Sequence, residues 1–465
     1  MANVGDDVQS SNSDRDPSDE GANIKPRHLA IFTQMGNGHV FPILPLCAEL
    51  NARGHRISCA VTGRYVERIR AVGAEAVVFT ETPVDTELQL ENERRAEGPP
   101  SDASRFEVSD LEWSHICRST ESFISQVMGF YERNPPDLVL YNRYCIPGLI
   151  VARTLRAPAV QFSPHFAYPG RSRYWDRGNP RTPAGLTNYG EKLDSLLGAY
   201  GLTGAHHLWH LEQLNVHLIP REFQYQADVF DDRFFFAGSL LDRPYERCWD
   251  SSDIRKPIVL ISGYSGLPET VSKSSNEGYF RLMIEALADS ECHCVLSIGD
   301  SVSAKSFGTL PANFEVNQTA SHLEILPRAS LLVCHAGMSS SLEALYNAVP
   351  VLAIPSSPYT QEVADRLAQL QVGRALPRMD LRAAVIRKTV MEMLEDATLR
   401  NKARDIQEVF RRSSGATATA QRIEGLLHSA QRDERRGNGP SAIQTITERD
   451  QHALVERVPE TATFE

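Results

Sequence analysis

Short apolar runs alternate with longer amphipathic runs along most of this chain. One series begins at 28–32 (HLAIF) and reaches 157–163 (APAVQFS), and a second begins at 256–262 (KPIVLIS) and reaches 350–355 (PVLAIP). Near-continuous apolar strands separated by helical segments are typical of parallel sheets covered by helices on both faces. The pattern therefore predicts an α/β fold with two doubly wound domains facing across a cleft, where ligands of such sheets bind.

Polar segments divide the chain between and around these two series. The 465 residues leave room for two cores, and the 42% hydrophobic and 23% charged composition is that of an ordinary globular protein. The two ends of the chain lack the apolar residues that a core requires. The predicted organisation is a disordered acidic tail at 1–26, a first α/β domain at 27–222, an interdomain linker at 223–244, a second α/β domain at 245–430 and a polar tail at 431–465.

Charge and composition limit the partners. The formal net charge of −11 repels nucleic-acid backbones and anionic lipids. The chain has neither the run of about 18 apolar residues that a membrane span requires nor a secretory signal at its N-terminus. We therefore expect a cytoplasmic protein that neither spans a membrane nor binds nucleic acid. The run at 292–294 (CHC) is predicted to be buried strand rather than a metal site.

The first candidate for chemistry follows the first strand, in the run MGNGHVFP at 35–42. Gly36 and Gly38 permit a tight turn that places His39 at the carboxyl end of a central strand, where active sites of α/β sheets lie. A dinucleotide fingerprint would need a third glycine where Phe41 stands, which disfavours nicotinamide and flavin cofactors. Because an imidazole titrates near neutrality, His39 is a candidate general base, with a structural role as the alternative.

The second candidate is the run at 331–355, where an apolar strand ends in His335 and a helix begins among Gly337, Ser339 and Ser340. Backbone amides and hydroxyls at a helix N-terminus beside an imidazole favour binding of an anion. Glu343, in the next turns, is placed to accept hydrogen bonds from a ribose diol. Together they predict a nucleotide diphosphate site, with simple helix capping by the serines as the alternative.

Two runs, at 38–57 (GHVFPILPLCAELNARGHRI) and 335–355 (HAGMSSSLEALYNAVPVLAIP), resemble family 1 glycosyltransferases of the GT-B fold, most of all the macrolide-type enzymes. The resemblance extends over about residues 27–430. It implies two Rossmann-like domains and transfer of a hexose, with inversion, from a UDP- or TDP-sugar to a small natural-product acceptor. It implies no metal ion and no cofactor beyond this co-substrate, and it suggests a context of secondary metabolism and antibiotic biosynthesis. The donor is expected in the second domain and the acceptor in the first.

The resemblance also assigns roles to individual residues. His39 matches the general base, and Asn142 stands where the family has the aspartate that holds it. An amide is expected to orient His39 through its oxygen without stabilising the imidazolium by charge. The residues expected to bind the donor are Ser265, His322, His335, Gly337, Ser339, Ser340, Glu343 and Thr360. Phe166, Tyr168 and Trp175 are the candidates for lining the acceptor pocket, with ordinary loop packing as the alternative.

Two further departures from the family pattern affect the donor site. The aromatic stretch that stacks on the nucleotide base aligns with 319–322 (TASH), and the acidic-Gln pair that holds sugar hydroxyls aligns with Tyr359 and Thr360. A catalytically silent homologue, acting as an auxiliary or nucleotide-sensing partner of another enzyme, is therefore the alternative to a transferase. A sugar-nucleotide epimerase is disfavoured because no carboxylates are clearly positioned to face the donor sugar. The sequence does not determine the acceptor, the donor sugar, the nucleotide base or the oligomeric state.

Overall fold

The computed structural model describes residues 25–84, 87, 110–168, 185–202, 211–241, 249–250, 252–263, 269–299, 302–318 and 322–435. These residues form two parallel sheets, which confirms the predicted α/β architecture. We call the parts of the chain built on the two sheets the first and the second domain. The bounds expected for the domains, the linker and the tails stay predictions.

The first sheet has the strand order β3-β2-β1-β4-β5-β6-β7, so the chain winds outward from β1 in both directions. Its strands are β1 (His28–Phe32), β2 (Arg56–Val61), β3 (Glu75–Val78), β4 (Leu138–Asn142), β5 (Ala159–Ser163), β6 (Asn215–His217) and β7 (Phe234–Phe236). Its helices are α1 (Asn37–Val40), α2 (Leu44–Ala52), α3 (Val66–Ala71), α4 (Asp110–Arg133), α5 (Ile146–Thr154) and α6 (Gly185–Ala199). The strand β7 thus lies in the segment expected to be the linker.

The second sheet repeats this arrangement in the order β10-β9-β8-β11-β12-β13. Its strands are β8 (Ile258–Ser262), β9 (His293–Ser297), β10 (Phe314–Asn317), β11 (Ala329–Cys334), β12 (Val351–Ala353) and β13 (Gly373–Ala375). Its helices are α7 (Glu269–Leu287), α8 (His322–Ile325), α9 (Met338–Tyr346), α10 (Pro358–Gln369), α11 (Ala383–Glu395) and α12 (Ala397–Arg411), and α13 (Gly415–Arg435) follows them. None of the helices in the described residues is long and apolar enough to cross a membrane.

The strands are apolar on both sides because helices cover both faces of each sheet. All five residues of β1 are buried, as are those of β4, β5 and β8. Gly148 lets α5 approach the first sheet closely, since a Cβ there would lie 2.6 Å from Tyr141 Cβ and 2.7 Å from Phe32 Cβ. This contact holds α5 against the ends of β1 and β4, beside the candidate site.

The last helix, α13, returns to the first domain. Ala420, Ile423 and Leu427 pack into the core on one face of the first sheet. Glu424 accepts a hydrogen bond from Arg53 at 3.0 Å and lies 3.2 Å from His55 Nε2. The first domain is therefore completed by residues from the far end of the described chain.

Candidate active site between the two domains

His39 lies in α1, directly beyond the carboxyl end of β1. The neighbouring strand β4 ends at Asn142, and its side-chain nitrogen lies 3.1 Å from His39 Nδ1. Asn142 is fully buried, whereas His39 is half-buried. The carboxyl ends of adjacent parallel strands thus bring these two predicted site residues into contact, although 103 positions separate them.

The Asn142 amide faces His39 with its nitrogen. Its oxygen is occupied, because Oδ1 accepts the backbone N–H of Tyr144 at 3.0 Å. The expectation that the amide orients His39 through its oxygen is therefore wrong. The physical reason is that a backbone N–H group in the loop after β4, that of Tyr144, already donates a hydrogen bond to this oxygen.

His165, just beyond β5, packs its ring edge against His39 with the two ring centroids 5.2 Å apart. Burial lowers the pKa of His39 to about 4. Burial, and to a smaller extent the neighbouring His39, His217 and Arg143, hold the pKa of His165 well below its usual range. Because low-dielectric surroundings disfavour a cation, the rings of His39 and His165 are neutral at pH 7. Residue type alone predicts a pKa near neutrality for His39. This prediction is wrong because burial lowers the pKa of the ring.

In the second domain His335 directly follows β11, and Gly337 caps the N-terminus of α9. Ala336 between them has φ of 61°, a left-handed conformation that is costly for a residue with a Cβ and recurs at functional sites. Burial lowers the pKa of His335 to about 4, so its ring is also neutral. The free N–H groups of the first turn of α9 point toward its N-terminus, and this end of a helix attracts anions.

The start of α9 touches the start of α1 across the cleft. Ser339 Oγ donates a hydrogen bond to the Gly38 carbonyl at 3.4 Å, and the half-buried Ser340 follows it in the same turn. A narrow cavity beside this contact is lined by residues of both domains, among them Pro42, Pro164, Met338, Leu342 and Glu343. The predicted diphosphate site and the predicted base thus face each other across one cleft.

Glu343 lies further along α9 and is buried. Its Oε2 is 3.5 Å from His322 Nδ1, and His322 Nε2 is 3.2 Å from Ser297 Oγ. His322 begins α8 and is the described end of the TASH run. The structure therefore brings together the carboxylate predicted to bind ribose and a residue from the stretch aligned with the family's base-stacking segment.

Two side-chain hydrogen bonds join the domains beside His39. His165 Nδ1 lies 2.6 Å from Tyr359 Oη, and Tyr168 Oη donates to Glu362 Oε2 at 2.7 Å. Tyr359 and Glu362 lie one turn apart on α10. Sequence reasoning identified Tyr168 but not His165 or Glu362. His165 opens the aromatic run after β5, which is the signal that could have found it.

Two predicted ligand contacts are used within the fold, and the structure does not describe two others. Phe166 is 1% exposed and stacks on Phe223 with centroids 5.6 Å apart, so its ring is core rather than a pocket wall. Thr360 Oγ1 accepts two backbone N–H groups at the start of α10, so this hydroxyl caps the helix instead of facing a sugar. Ser265 and Trp175 lie outside the described residues.

Comparison with known proteins relates most of the chain to glycosyltransferases. Residues 281–426 match the family described as erythromycin biosynthesis protein CIII-like, C-terminal domain. The chain is 28% identical over 417 residues to an NDP-glycosyltransferase, YjiC, of Bacillus licheniformis, covering 87% of this chain and 98% of that protein. It is 29% identical over 431 residues to demethyllactenocin mycarosyltransferase of Streptomyces fradiae, covering 89% of each.

Solved structures agree with the sequence comparison. The crystal structure of the calicheamicin glycosyltransferase CalG4 aligns with a TM-score of 0.69 and 27% identity, covering 87% of this chain and 99% of that one. The glycosyltransferase VinC, solved in complex with DTDP, shares the fold at a TM-score of 0.64 and 17% identity, covering 86% of this chain and 100% of that one.

Proposed function

Because this chain belongs to the macrolide-type, erythromycin CIII-like family of GT-B glycosyltransferases, we propose that it transfers a hexose, with inversion, from a UDP- or TDP-sugar to a small natural-product acceptor. The observation that carries the proposal is the pair of strand-end histidines, His39 and His335, on opposite sides of one cleft. The contact between Ser339 and Gly38 brings the helix that contains His39 and the helix that follows His335 together. Relatives named for mycarosyl transfer and for oleandomycin glycosylation support a natural-product acceptor.

The donor diphosphate binds the N-terminus of α9 in this proposal. The backbone N–H groups of the first turn, the Ser340 hydroxyl and the His335 ring, which also lies beside the Gly263 carbonyl, donate hydrogen bonds to its oxygens. The leaving diphosphate gains negative charge as its bond to the sugar breaks, so these fixed donors stabilise the transition state more than the bound donor. The proposed transfer needs no metal ion, since the protein's own donors carry out this stabilisation.

Glu343 binds the ribose diol, supported by its position on the helix that binds the diphosphate. Its Oε2 lies 3.5 Å from His322 Nδ1, a contact that orients the carboxylate. Tyr359 and Glu362 of α10 are the residues proposed to meet the sugar, supported by their hydrogen bonds to His165 and Tyr168 of the first domain. A sugar hydroxyl that replaced the Tyr168 contact to Glu362 would keep that buried carboxylate hydrogen-bonded.

The acceptor nucleophile binds at His39 and attacks the anomeric carbon. His39 belongs to the first domain and the diphosphate to the second. The nucleophile therefore approaches the anomeric carbon from the side opposite to the leaving diphosphate. A single displacement in this geometry inverts the anomeric configuration. The family resemblance gives His39 the role of general base, and the contact with Asn142 determines which of its ring nitrogens carries the proton.

His335→Ala tests the donor site by calorimetry. We expect it to weaken binding of TDP and UDP by roughly 10- to 150-fold, the range for one hydrogen bond to a charged group. Binding of thymidine and uridine should change little, because they lack the diphosphate. Equal losses for nucleosides and diphosphates would contradict the assignment of His335.

His39→Ala tests the acceptor side in the same protein. It should leave TDP and UDP binding intact and reduce sugar transfer by about 10²–10⁴-fold. Transfer is measured as glycoside formed from a panel of UDP- and TDP-sugars with phenol, amine and alcohol acceptors. A folded parent protein that binds a diphosphate but transfers no sugar in the whole panel would support the catalytically silent alternative.

A further inference from the structure

The orientation of the Asn142 amide determines which nitrogen of His39 carries the proton. Asn142 Oδ1 accepts the Tyr144 N–H at 3.0 Å. Turning the amide over would place its NH₂ group against that N–H, so that two donors would meet in a buried site. The NH₂ group therefore faces His39 Nδ1, at 3.1 Å.

An NH₂ group can only donate, so Nδ1 of His39 has to accept. A neutral imidazole carries one proton, and that proton then lies on Nε2. An aspartate at position 142 would have the opposite effect, because a carboxylate only accepts and would hold the proton on Nδ1. The exchange of one atom in residue 142 thus reverses the tautomer of His39.

The groups described around His39 do not replace the carboxylate that would hold a proton on its Nδ1. Within the described residues, the ring packed against His39 is the neutral ring of His165. Tyr144 and Tyr359 pack against His165 in turn, and the buried cation Arg143 lies near His165. The carboxylate that faces this cluster, Glu362, accepts the Tyr168 hydroxyl. An imidazolium at position 39 would need a second acceptor at Nδ1, where the amide presents a donor.

From this geometry we propose that His39 is a hydrogen-bond donor through Nε2–H, and that the acceptor binds as a phenolate. The proposal rests on the proposed function, since it names the acceptor class for that same cleft. A lone pair of the phenolate oxygen accepts the Nε2–H bond. Asn142 is the positioning residue that keeps this proton on Nε2.

The proposed step balances without proton transfer to the enzyme. The phenol loses its proton to solvent before it binds. The phenolate oxygen attacks the anomeric carbon, a carbon–oxygen bond forms, and the bond from that carbon to the diphosphate oxygen breaks with its electron pair on the diphosphate. His39 holds the same proton before and after the transfer.

The first experiment reads the tautomer directly and needs no activity. Protein labelled with ¹⁵N-histidine is examined by ¹⁵N–¹H NMR at pH 7, and His39→Gln identifies the signals of His39. We expect Nε2 to be protonated in the parent protein and Nδ1 to be protonated in Asn142→Asp. Protonation of Nδ1 in the parent would overturn the proposal whether or not the protein transfers sugar.

The second experiment compares acceptors. With phenols of graded pKa, kcat/KM of the parent should rise about tenfold per pH unit below the acceptor pKa, following the ionised fraction. Asn142→Asp should raise transfer to aliphatic alcohols by about 10²-fold or more, the contribution of a general base, and flatten the dependence on acceptor pKa. Parent activity on alcohols equal to that on phenols would overturn the proposal. Loss of transfer with every acceptor, together with the expected NMR result, would count against the proposed function alone.

Discussion

Replacing Gly337 with alanine tests the His335 imidazole without changing any hydrogen-bonding group. A Cβ at Gly337 would lie 2.8 Å from His335 Nε2. A Cβ at Gly36, the matching residue before α1, would meet its nearest neighbour, His39 Cδ2, at 3.7 Å. The two glycines have φ of −63° and −157°, both open to alanine, so the substitutions differ in steric contact and not in backbone strain.

The size of the effect follows from these distances. Ordinary van der Waals contact begins at 3.4 Å, so the imidazole of His335 has to withdraw by about 0.6 Å. A hydrogen bond of about 2.9 Å lengthened by that amount reaches about 3.5 Å, where it is nearly lost. One hydrogen bond to a charged group contributes about 1.5–3 kcal/mol, which corresponds to roughly 10- to 150-fold in affinity. Overpacking should also lower the free energy of unfolding by about 1–3 kcal/mol.

Calorimetric titration with TDP, UDP, thymidine and uridine measures the effect, and circular dichroism checks that each variant is folded. Gly337→Ala should weaken the two diphosphates and leave the nucleosides nearly unchanged. Gly36→Ala, the matched control, should bind all four ligands like the parent protein. If Gly337→Ala binds the diphosphates as tightly as the parent, His335 is not a diphosphate ligand and the reasoning fails.

Two further predictions concern stability. Tyr168→Phe removes a hydrogen bond to the Glu362 carboxylate and should lower the free energy of unfolding by about 1.5–3 kcal/mol. Tyr225→Phe removes a hydrogen bond to the Glu362 backbone carbonyl and should lower it by only about 0.5–1.5 kcal/mol. Equal losses of the free energy of unfolding in urea would contradict this assignment. Burial lowers the pKa of His217 from 6.5 to about 4, so the folded state prefers the neutral ring. The stability that this ring contributes is present above about pH 6.5 and is lost as the pH falls toward about 4, at about 1.4 kcal/mol per unit. His217→Asn should flatten the pH dependence of the free energy of unfolding, measured by urea denaturation, by that slope, and an unchanged slope would show that His217 does not titrate as described.

Much of the fold could be predicted from the sequence because each sheet is encoded by local patterns. Apolar runs predict strands, and parallel strands place their carboxyl ends together, so the sequence alone assigns His39 and His335 to the carboxyl ends of two sheets. The direction of the Asn142 amide could not be predicted, since it depends on one backbone N–H group, that of Tyr144. The low pKa of His39 likewise follows from burial that no local pattern encodes.

Contacts between the domains were the other part that sequence reasoning missed. Tyr168 and Glu362 are separated by 194 positions, and so are His165 and Tyr359. Such pairs depend on how the two domains pack together. The hydrophobic pattern within either domain does not predict that packing. Phe166 shows the reverse error, because an aromatic residue beside a predicted pocket packs in the core instead.

The return of α13 to the first domain has a consequence for biosynthesis and for protein engineering. Ala420, Ile423 and Leu427 belong to the core of a domain whose first strand begins at His28. A ribosome has to deliver nearly the whole described chain before that core is complete, so the nascent first half exposes the apolar surface that α13 later covers. A chimera that exchanges the second half for that of a relative also exchanges part of the first domain's core. Grafts that keep the native α13 with its own first domain avoid that mismatch.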